Sequence, residues 1–255
     1  MIFNTHTHLN SEEMYREYET FLKRAQEENV SRFLVVGYDL ESSKKAIEIA
    51  EKHENVYASV GLCPTELYKI EKIKYEEYEK LLANKKVVAI GEIGLDYYYE
   101  TTNKLQQKEC LLKFFDLAKK YNLPVLIHCR DALQDCYDML KENKMTRGVM
   151  HCYSGSVEMA KNFIKQGLYI SLAGPVTFKN AKTPKEVAKE IDLNKLLVET
   201  DDPYLAPTPF RGQKNEPKNV VYIVKAIAEI KGISFEEVAK TTTQNALEVL
   251  NICEK

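Results

Sequence analysis

Residues 124–128 read PVLIH, a short apolar run that ends in a histidine, and helical patterns flank it at 104–122 and 130–144. The same alternation of a short apolar run with a longer amphipathic stretch extends along the whole chain. Strands that alternate with helices pair in parallel, because each crossover helix returns the chain to the same edge of the sheet. The pattern therefore predicts an α/β fold with a parallel sheet.

Eight such apolar runs are present, which is the number that closes a barrel, whereas five or six would favour an open doubly wound sheet. The predicted strands are 2–6, 32–37, 56–61, 87–91, 124–128, 147–151, 168–172 and 195–200, and the further predicted helices are 11–29, 41–53, 156–166, 183–191, 217–231 and 234–250. The charge run at 69–86 is typical of a solvated helix face. Because no repeat, low-complexity segment or linker interrupts the pattern, we expect one domain, 1–255, folded as a (β/α)8 TIM barrel.

The composition limits the function classes. The net charge is −2, so no global positive field recruits nucleic acid, and a phosphate-rich substrate would have to be held locally. Neither a secretion signal nor a run of about 18 apolar residues is visible, so we expect no membrane span. Six cysteines without a CxxC pair are expected to be free thiols in a reducing compartment. The chain is accordingly predicted to be cytoplasmic.

Histidines and acids cluster at the predicted strand ends. Four of the five histidines lie there, together with two acidic residues, and the set is His6, His8, Glu92, His128, His151 and Asp201. Since the carboxyl ends of barrel strands converge on one rim, these side chains from five strands are expected to meet at one mouth. His6 and His8 share a direction, because alternate strand residues face the same side. Imidazoles with carboxylates suit zinc or manganese, and the carboxylates would also accept magnesium.

Each of these residues also has an ordinary structural interpretation. A single histidine at a strand end is more often a hydrogen-bonded core or surface residue, and an HxH pair occurs by chance. Asp201 and Asp202, which precede Pro203, fit a turn equally well. The coincidence of six such residues at five strand ends nevertheless favours a metal site.

Several longer motifs resemble the TatD family of metal-dependent deoxyribonucleases, which belongs to the amidohydrolase-like barrels. They are HTH at 6–8, GEIGLDYY at 91–98, PVLIHCRDA at 124–132, HCYSGS at 151–156, LVETDDPYLAP at 197–207 and FRGQKNEP at 210–217. TTTQNALEVL at 241–250 is similar to the closing helix of the family, so the resemblance covers nearly the whole chain.

The resemblance implies a site for two divalent metal ions, which would be Zn, Mn or Mg. His6, His8 and Asp201 would hold the first ion, His128 and His151 the second, and Glu92 would bridge them. Other amidohydrolase barrels often use a carboxylated lysine as the bridge. The built-in carboxylate of Glu92 argues against a phosphotriesterase-type relative.

Further residues are candidates for substrate binding. Many family members carry a histidine in a GxHP motif after strand three, whereas this chain has GLCP at 61–64 and so places a cysteine there. The substrate-binding candidates are Cys63, Arg130, Arg211, Asn215 and Tyr97. For Arg130 a salt bridge with Asp131 or another acidic residue is the alternative. For the tyrosines at 97–99 the alternative is a plain amphipathic rim.

Strand parity assigns roles to three more residues. Glu199 lies two positions before Asp201 and is expected to point into the barrel, where it would support the ligands by a hydrogen bond. Cys129 and Cys152 directly follow histidines of the set, so alternation predicts that both thiols point away from the site as small core side chains.

The sequence thus predicts a hydrolase that cleaves DNA phosphodiester bonds with a metal-activated water. Asp201 and Glu92 are the candidate catalytic residues, with Asp201 as proton acceptor. DNA is the expected partner, with no membrane, no organic cofactor and a monomeric or weakly oligomeric state. Two alternatives remain open: hydrolysis of another ester or amide bond, such as an aminoacyl ester on transfer RNA, and a metal-binding scaffold without turnover.

Overall fold

Eight parallel strands form the sheet in a computed structural model that describes residues 1–99 and 103–253. They run in chain order, and each pairs with the next: β1 Ile2–Thr7, β2 Val30–Val36, β3 Val56–Val60, β4 Val87–Asp96, β5 Val125–Arg130, β6 Gly148–Met150, β7 Leu168–Leu172 and β8 Leu196–Val198. A parallel bridge from Thr7 to Asp202 brings β1 against the segment that follows β8, so the barrel is nearly closed. The predicted (β/α)8 fold is confirmed.

Helices connect the strands and surround them. They are α1 Tyr18–Glu27, α2 Leu40–Lys52, α3 Tyr75–Leu81, α4 Lys104–Tyr121, α5 Leu133–Glu142, α6 Val157–Lys165, α7 Lys182–Glu190, α8 Val220–Lys231 and α9 Phe235–Leu250. The helix predicted at 11–29 is wrong in its first part, where a 3-10 turn at Tyr15–Glu17 precedes α1. The charge run at 69–86 is helical only within α3, where Tyr78 is buried. None of the helices within the described ranges is long and apolar enough to cross a bilayer.

The buried side chains form two layers. One layer lies between the strands and the surrounding helices. The other takes side chains from seven strands and from α9, and it therefore fills the barrel interior: Phe3, Leu34, Val36, Ala89, Leu126, Val149, Tyr169, Leu197, Ala246, Leu247, Val249 and Leu250. Asn245 of α9 donates to the backbone oxygens of Leu193 and Leu196, just before β8 and at its start. Helix α9 thus covers the amino-terminal end of the barrel and leaves the carboxyl-terminal mouth open.

Two irregularities decide which strand residues face this interior. The pairing of β1 with β2 shifts its register between Asn4 and Thr7, and the pairing of β4 with β5 shifts between Ile90 and Ile93. Each shift moves the alternation of side chains by one residue. Consequently the interior-facing positions are odd-numbered at the start of both strands and even-numbered at their ends.

Strand β4 continues five residues beyond its predicted end. The predicted strand, 87–91, ends at Gly91, and a second glycine, a residue type depleted in strands, follows at position 94. In the structure, a Cβ atom added to Gly94, where φ is +150°, would lie 1.9 Å from the backbone oxygen of His128. Glycine is therefore required where β4 passes close to β5, and Glu92 lies inside the strand instead of following it.

Leu34→Ala should lower the free energy of unfolding by about 2–5 kcal/mol, because the side chain is fully buried in the barrel interior. Denaturant titration of metal-free protein measures the change. The matched control is Leu112→Ala on α4, where the leucine is 38% exposed and a change within about 0.5 kcal/mol is expected. Equal losses for the two variants would contradict the assignment of the interior layer.

Candidate metal centre

Six side chains meet at the carboxyl-terminal mouth of the barrel. They are the predicted set His6, His8, Glu92, His128, His151 and Asp201, and each has a nitrogen or carboxylate oxygen between 2.8 and 3.7 Å from another member. His6 and His8 follow the register shift in β1, and Glu92 follows the one in β4. His128 and His151 reach the mouth by plain alternation from Leu126 and Val149. The geometry predicted for the set is therefore present.

The two oxygens of Glu92 divide the imidazoles into two groups. Oε1 lies 2.8 Å from Nδ1 of His128 and 3.1 Å from Nε2 of His151. Oε2 lies 3.6 Å from Nε2 of both His6 and His8. Asp201 belongs to the second pair, since its Oδ1 is 3.5 Å from His8 and 3.7 Å from His6.

In three of the imidazoles, those of His8, His151 and His128, the ring nitrogen that faces away from the centre lies within hydrogen-bond distance of an acceptor. Nδ1 of His8 lies 3.1 Å from the backbone oxygen of Val36. Nδ1 of His151 lies 3.0 Å from Oε1 of Glu199, which takes the supporting position expected of it. If each outer nitrogen donates its hydrogen, the inner nitrogen presents a lone pair to the centre.

Asp96 hydrogen-bonds with the ring nitrogen of His128 that faces away from the centre. The sequence-based prediction gave Asp96 no role. Its Oδ2 lies 2.9 Å from Nε2 of His128, and its Oδ1 accepts hydrogen bonds from the backbone of Tyr98 and Tyr99. The available signal was its spacing of four residues from Glu92 in GEIGLD, which places both on one face of a strand. Because the predicted strand ended at Gly91, strand alternation was not applied to Asp96.

The donor chemistry fits divalent cations. Nε2 of His6 and Nε2 of His8 approach to 3.2 Å, so two ring nitrogens converge on one point beside carboxylate oxygens. Burial lowers the pKa of His128, but hydrogen bonds with Asp96 and Glu92 outweigh burial and raise it to about 9. The centre thus stabilises positive charge, which a bound ion supplies without protonating the imidazoles.

The two adjacent aspartates have different environments. Asp202 is fully buried and accepts hydrogen bonds from Thr7 and Thr200, and burial raises its pKa to about 6. Asp201, at φ 55°, turns its partly exposed side chain toward His8. The interpretation of these aspartates as structural residues of a turn therefore applies to Asp202, whereas Asp201 lies in the centre.

The side chains of two substrate-binding candidates make their hydrogen bonds within the protein. Asn215 is fully buried, and its amide donates to the backbone oxygens of Thr200 and Tyr204, so it shapes the loop after β8. Tyr97 follows Leu95 in the outward alternation and packs against the strand–helix layer, where its hydroxyl donates to Asp135 at 2.6 Å.

The other three candidates lie in different places. The guanidinium of Arg130 stands over the rings of Tyr98 and Tyr99, with its Cζ 4.0 and 4.8 Å from their centroids. Arg211 is exposed on the loop after β8, and its guanidinium lies over the ring of Phe178. Cys63 is only 4% exposed, and its thiol donates to Oε1 of Glu92 at 3.5 Å, which places it within the centre.

Strand alternation predicted that the thiols of Cys129 and Cys152 point away from the centre, and this prediction is confirmed for Cys129. Cys129 packs against the strand–helix layer and hydrogen-bonds with Cys136. Cys152 has a φ of 42°, two residues beyond the end of β6, where strand alternation no longer holds. Burial and the charges of Asp201 and Glu199 raise the pKa of its thiol well above the usual value. The Cys152 amide also donates to Oε1 of Glu199 at 2.7 Å, so this residue departs from the predicted alternation.

The family model described as TatD related DNase matches residues 3–251. The chain belongs to the TatD family. The uncharacterized metal-dependent hydrolase YabD of Bacillus subtilis is 45% identical to it, over 99% of this chain and 100% of that relative. The uncharacterized metal-dependent hydrolase TatD of Mycobacterium tuberculosis is 36% identical over 95% of each chain.

Solved structures of TatD proteins share the fold closely. The crystal structure of YJJV, a TatD homologue from Escherichia coli K12, superposes with a TM-score of 0.94 at 29% identity and covers 99% of this chain and 98% of its own. A TatD family hydrolase from Entamoeba histolytica gives a TM-score of 0.87 at 26% identity, with 97% of each chain covered.

Asp96→Asn should weaken metal binding about 10–100-fold, as is typical for removal of a carboxylate that orients a ligand histidine. An asparagine amide would donate to Nε2 of His128, so the ring would carry its hydrogen on Nδ1, facing the centre. The Oδ1 atom of asparagine can still accept from the turn at 98–99. Competition with a chromogenic chelator measures the affinity.

Asp116→Asn is the matched control, because Asp116 is exposed on α4. It should bind metal as the unmodified protein does. Unchanged affinity in Asp96→Asn would show that Asp96 does not orient His128.

Proposed function

We propose that this chain, a metal-dependent hydrolase of the TatD family, cleaves phosphodiester bonds of DNA at a centre for two divalent ions. One observation carries the proposal. Arg130 follows His128 by two residues on the same strand, and its guanidinium is stacked on two exposed tyrosine rings. A phosphodiester with an unpaired base offers matching chemistry, namely an anion and a flat aromatic face.

The donor groups define which residues would hold each ion. His6, His8 and Asp201 would hold the first ion together with Oε2 of Glu92. His128 and His151 would hold the second together with Oε1. Divalent Zn, Mn or Mg supplies Lewis acidity at such a site, toward water and toward phosphoryl oxygens.

The side chains of the centre provide proton transfer and positioning. Burial raises the pKa of Asp201, but His8 and the other neighbouring imidazoles outweigh burial and lower it, so the carboxylate is ionised near neutral pH. Asp201 takes the proton of the attacking water while the water oxygen bonds to phosphorus. The bond to the leaving sugar oxygen breaks, and that oxygen takes a proton from solvent. Glu92 faces ring nitrogens of four imidazoles with its two oxygens, and it would bridge the two ions.

Arg130 and the two tyrosines would position the substrate. The half-buried guanidinium keeps donors available for a phosphate while its face stacks on aromatic rings. Tyr98 and Tyr99 are 56% and 64% exposed, and their rings stand at right angles to each other. Such rings stack with any unpaired base, which favours single-stranded DNA over duplex.

Hydrolysis of another ester or amide bond, including an aminoacyl ester on transfer RNA, is the second candidate. The net charge of −2 favours it, because the chain has no overall positive charge to attract nucleic acid. Metal-loaded protein should be incubated with single-stranded DNA, duplex DNA and a panel of esters and amides, each with and without chelator. Chelator-sensitive cleavage of single-stranded DNA supports the proposal, whereas turnover confined to the panel supports the second candidate.

His128→Ala should lower kcat/KM on single-stranded DNA by at least about 100-fold, because the second ion would lose a ligand. His53→Gln is the matched control, since His53 directly follows α2 and lies outside the centre. It should retain the activity of the unmodified chain. Near-normal turnover of His128→Ala in metal-buffered solution would refute the assignment.

Tyr98→Ala and Tyr99→Ala should each raise KM for single-stranded DNA, since one base–aromatic stack is worth about 1–3 kcal/mol. Their kcat on a small phosphodiester without a base should stay unchanged. Steady-state kinetics on both substrates separates the two effects. Tyr121→Ala, at the end of α4 beside the opposite end of the barrel, is the control and should alter neither. Equal losses on both substrates would argue against stacking.

A further inference from the structure

We propose that Cys63 is a metal ligand whose sulfur completes the second donor group, so that this ion is held by one thiolate, two imidazoles and Oε1 of Glu92. The inference rests on the proposed two-ion centre and extends it. It differs from the sequence-based interpretation, in which Cys63 contacts substrate.

The distances support coordination by this sulfur. Sγ of Cys63 lies 3.5 Å from Oε1 of Glu92, the same oxygen that faces His128 and His151. The ligand atoms of Cys63, Glu92 and His128 all lie within 4.8 Å of one another. Ligands at zinc-like bond lengths in a tetrahedron are separated by roughly 3.3–3.8 Å. Small side-chain adjustments therefore bring the three atoms onto one ion.

The backbone around Cys63 holds the thiol against the centre. The Cys63 amide donates to the backbone oxygen of Tyr38 at 2.9 Å, and the Cys63 carbonyl accepts from Glu66 at 3.0 Å. Two residues earlier, a Cβ atom on Gly61 would lie 2.5 Å from the carbonyl carbon of Gly91. This loop thus passes directly over β4, and at 4% exposure the thiol has little access to a substrate in the mouth.

Metal binding exchanges a proton for the ion. In the metal-free centre the thiol donates to Glu92, and a sulfur ligand must be deprotonated, so the proton leaves to solvent when the metal–sulfur bond forms. The hydroxyl of Thr65 lies 3.1 Å from Sγ and is placed to donate to the thiolate. Support of this kind for a ligand atom is typical of protein metal sites.

A sulfur ligand would make the two ion sites unequal. The group around His6, His8 and Asp201 offers nitrogen and oxygen only, whereas the group around His128 gains a soft donor. Thiolate favours zinc and cobalt over magnesium and manganese. We expect the second site to retain zinc under conditions in which the first exchanges its ion.

Cobalt(II) substitution tests the inference without measuring activity. Titration of metal-free protein with CoCl2 should give visible d–d bands and, with them, a thiolate-to-cobalt charge-transfer band in the near ultraviolet. Cys63→Ser should keep the d–d bands, lose the charge-transfer band and weaken binding of the more tightly held ion by at least about tenfold. Circular dichroism of each variant verifies that it is folded.

Two control variants identify the sulfur. Cys152→Ala tests the thiol of the residue that directly follows His151, and Cys110→Ala tests a buried thiol on α4. Both should retain the charge-transfer band. A band that survives Cys63→Ser, or that disappears in Cys152→Ala, would overturn the assignment.

The same titration distinguishes two negative results, one in which Cys63 is not a ligand and one in which the two-ion centre does not exist. Cobalt d–d bands without any charge-transfer band in the unmodified protein would refute Cys63 as a ligand and leave the two-ion centre in place. Absence of cobalt and zinc binding by all variants would refute the centre itself.

Discussion

Glu92 is only 5% exposed, yet its carboxylate is approached by ring nitrogens of four histidines from three strands. Burial of a carboxylate is costly unless it is paired and hydrogen-bonded. Here burial raises the pKa of Glu92, but His151 and its neighbours outweigh burial and lower it well below the usual value. Because the carboxylate stays ionised within the barrel, the imidazoles are drawn around it, and its two oxygens define the two halves of the centre.

Asp96 connects this centre to the rim. One of its oxygens faces the imidazole of His128, and the other accepts from the backbone of Tyr98 and Tyr99. The backbone of Asp96 is fixed by Gln107 of α4, whose side-chain oxygen accepts from the Asp96 amide and whose side-chain nitrogen donates to the Asp96 carbonyl. The position of the His128 ring and the position of the tyrosine pair therefore depend on one side chain.

The sequence predicted the barrel and the six residues of the centre because alternation and strand order are local signals. On β5 and β6, plain parity places His128 and His151 correctly. On β4 the register shift depends on close contact with a neighbouring strand, which no local pattern reveals, so Glu92 was placed after the strand and Asp96 was missed. For Asn215 the resemblance of a loop motif does not distinguish a side chain that lines a cleft from one that shapes the loop. In the structure its amide donates to the loop backbone.

Helix α9 hydrogen-bonds to both edges of the barrel seam. Thr243 accepts from the amide of Phe3 in β1, 240 residues earlier, and Asn245 binds the chain at the start of β8. A chain emerging from the ribosome therefore exposes the amino-terminal end of the interior layer until α9 has been synthesised. Contacts of such long sequence separation slow the closure of the barrel, because a loop of about 240 residues must close before they form.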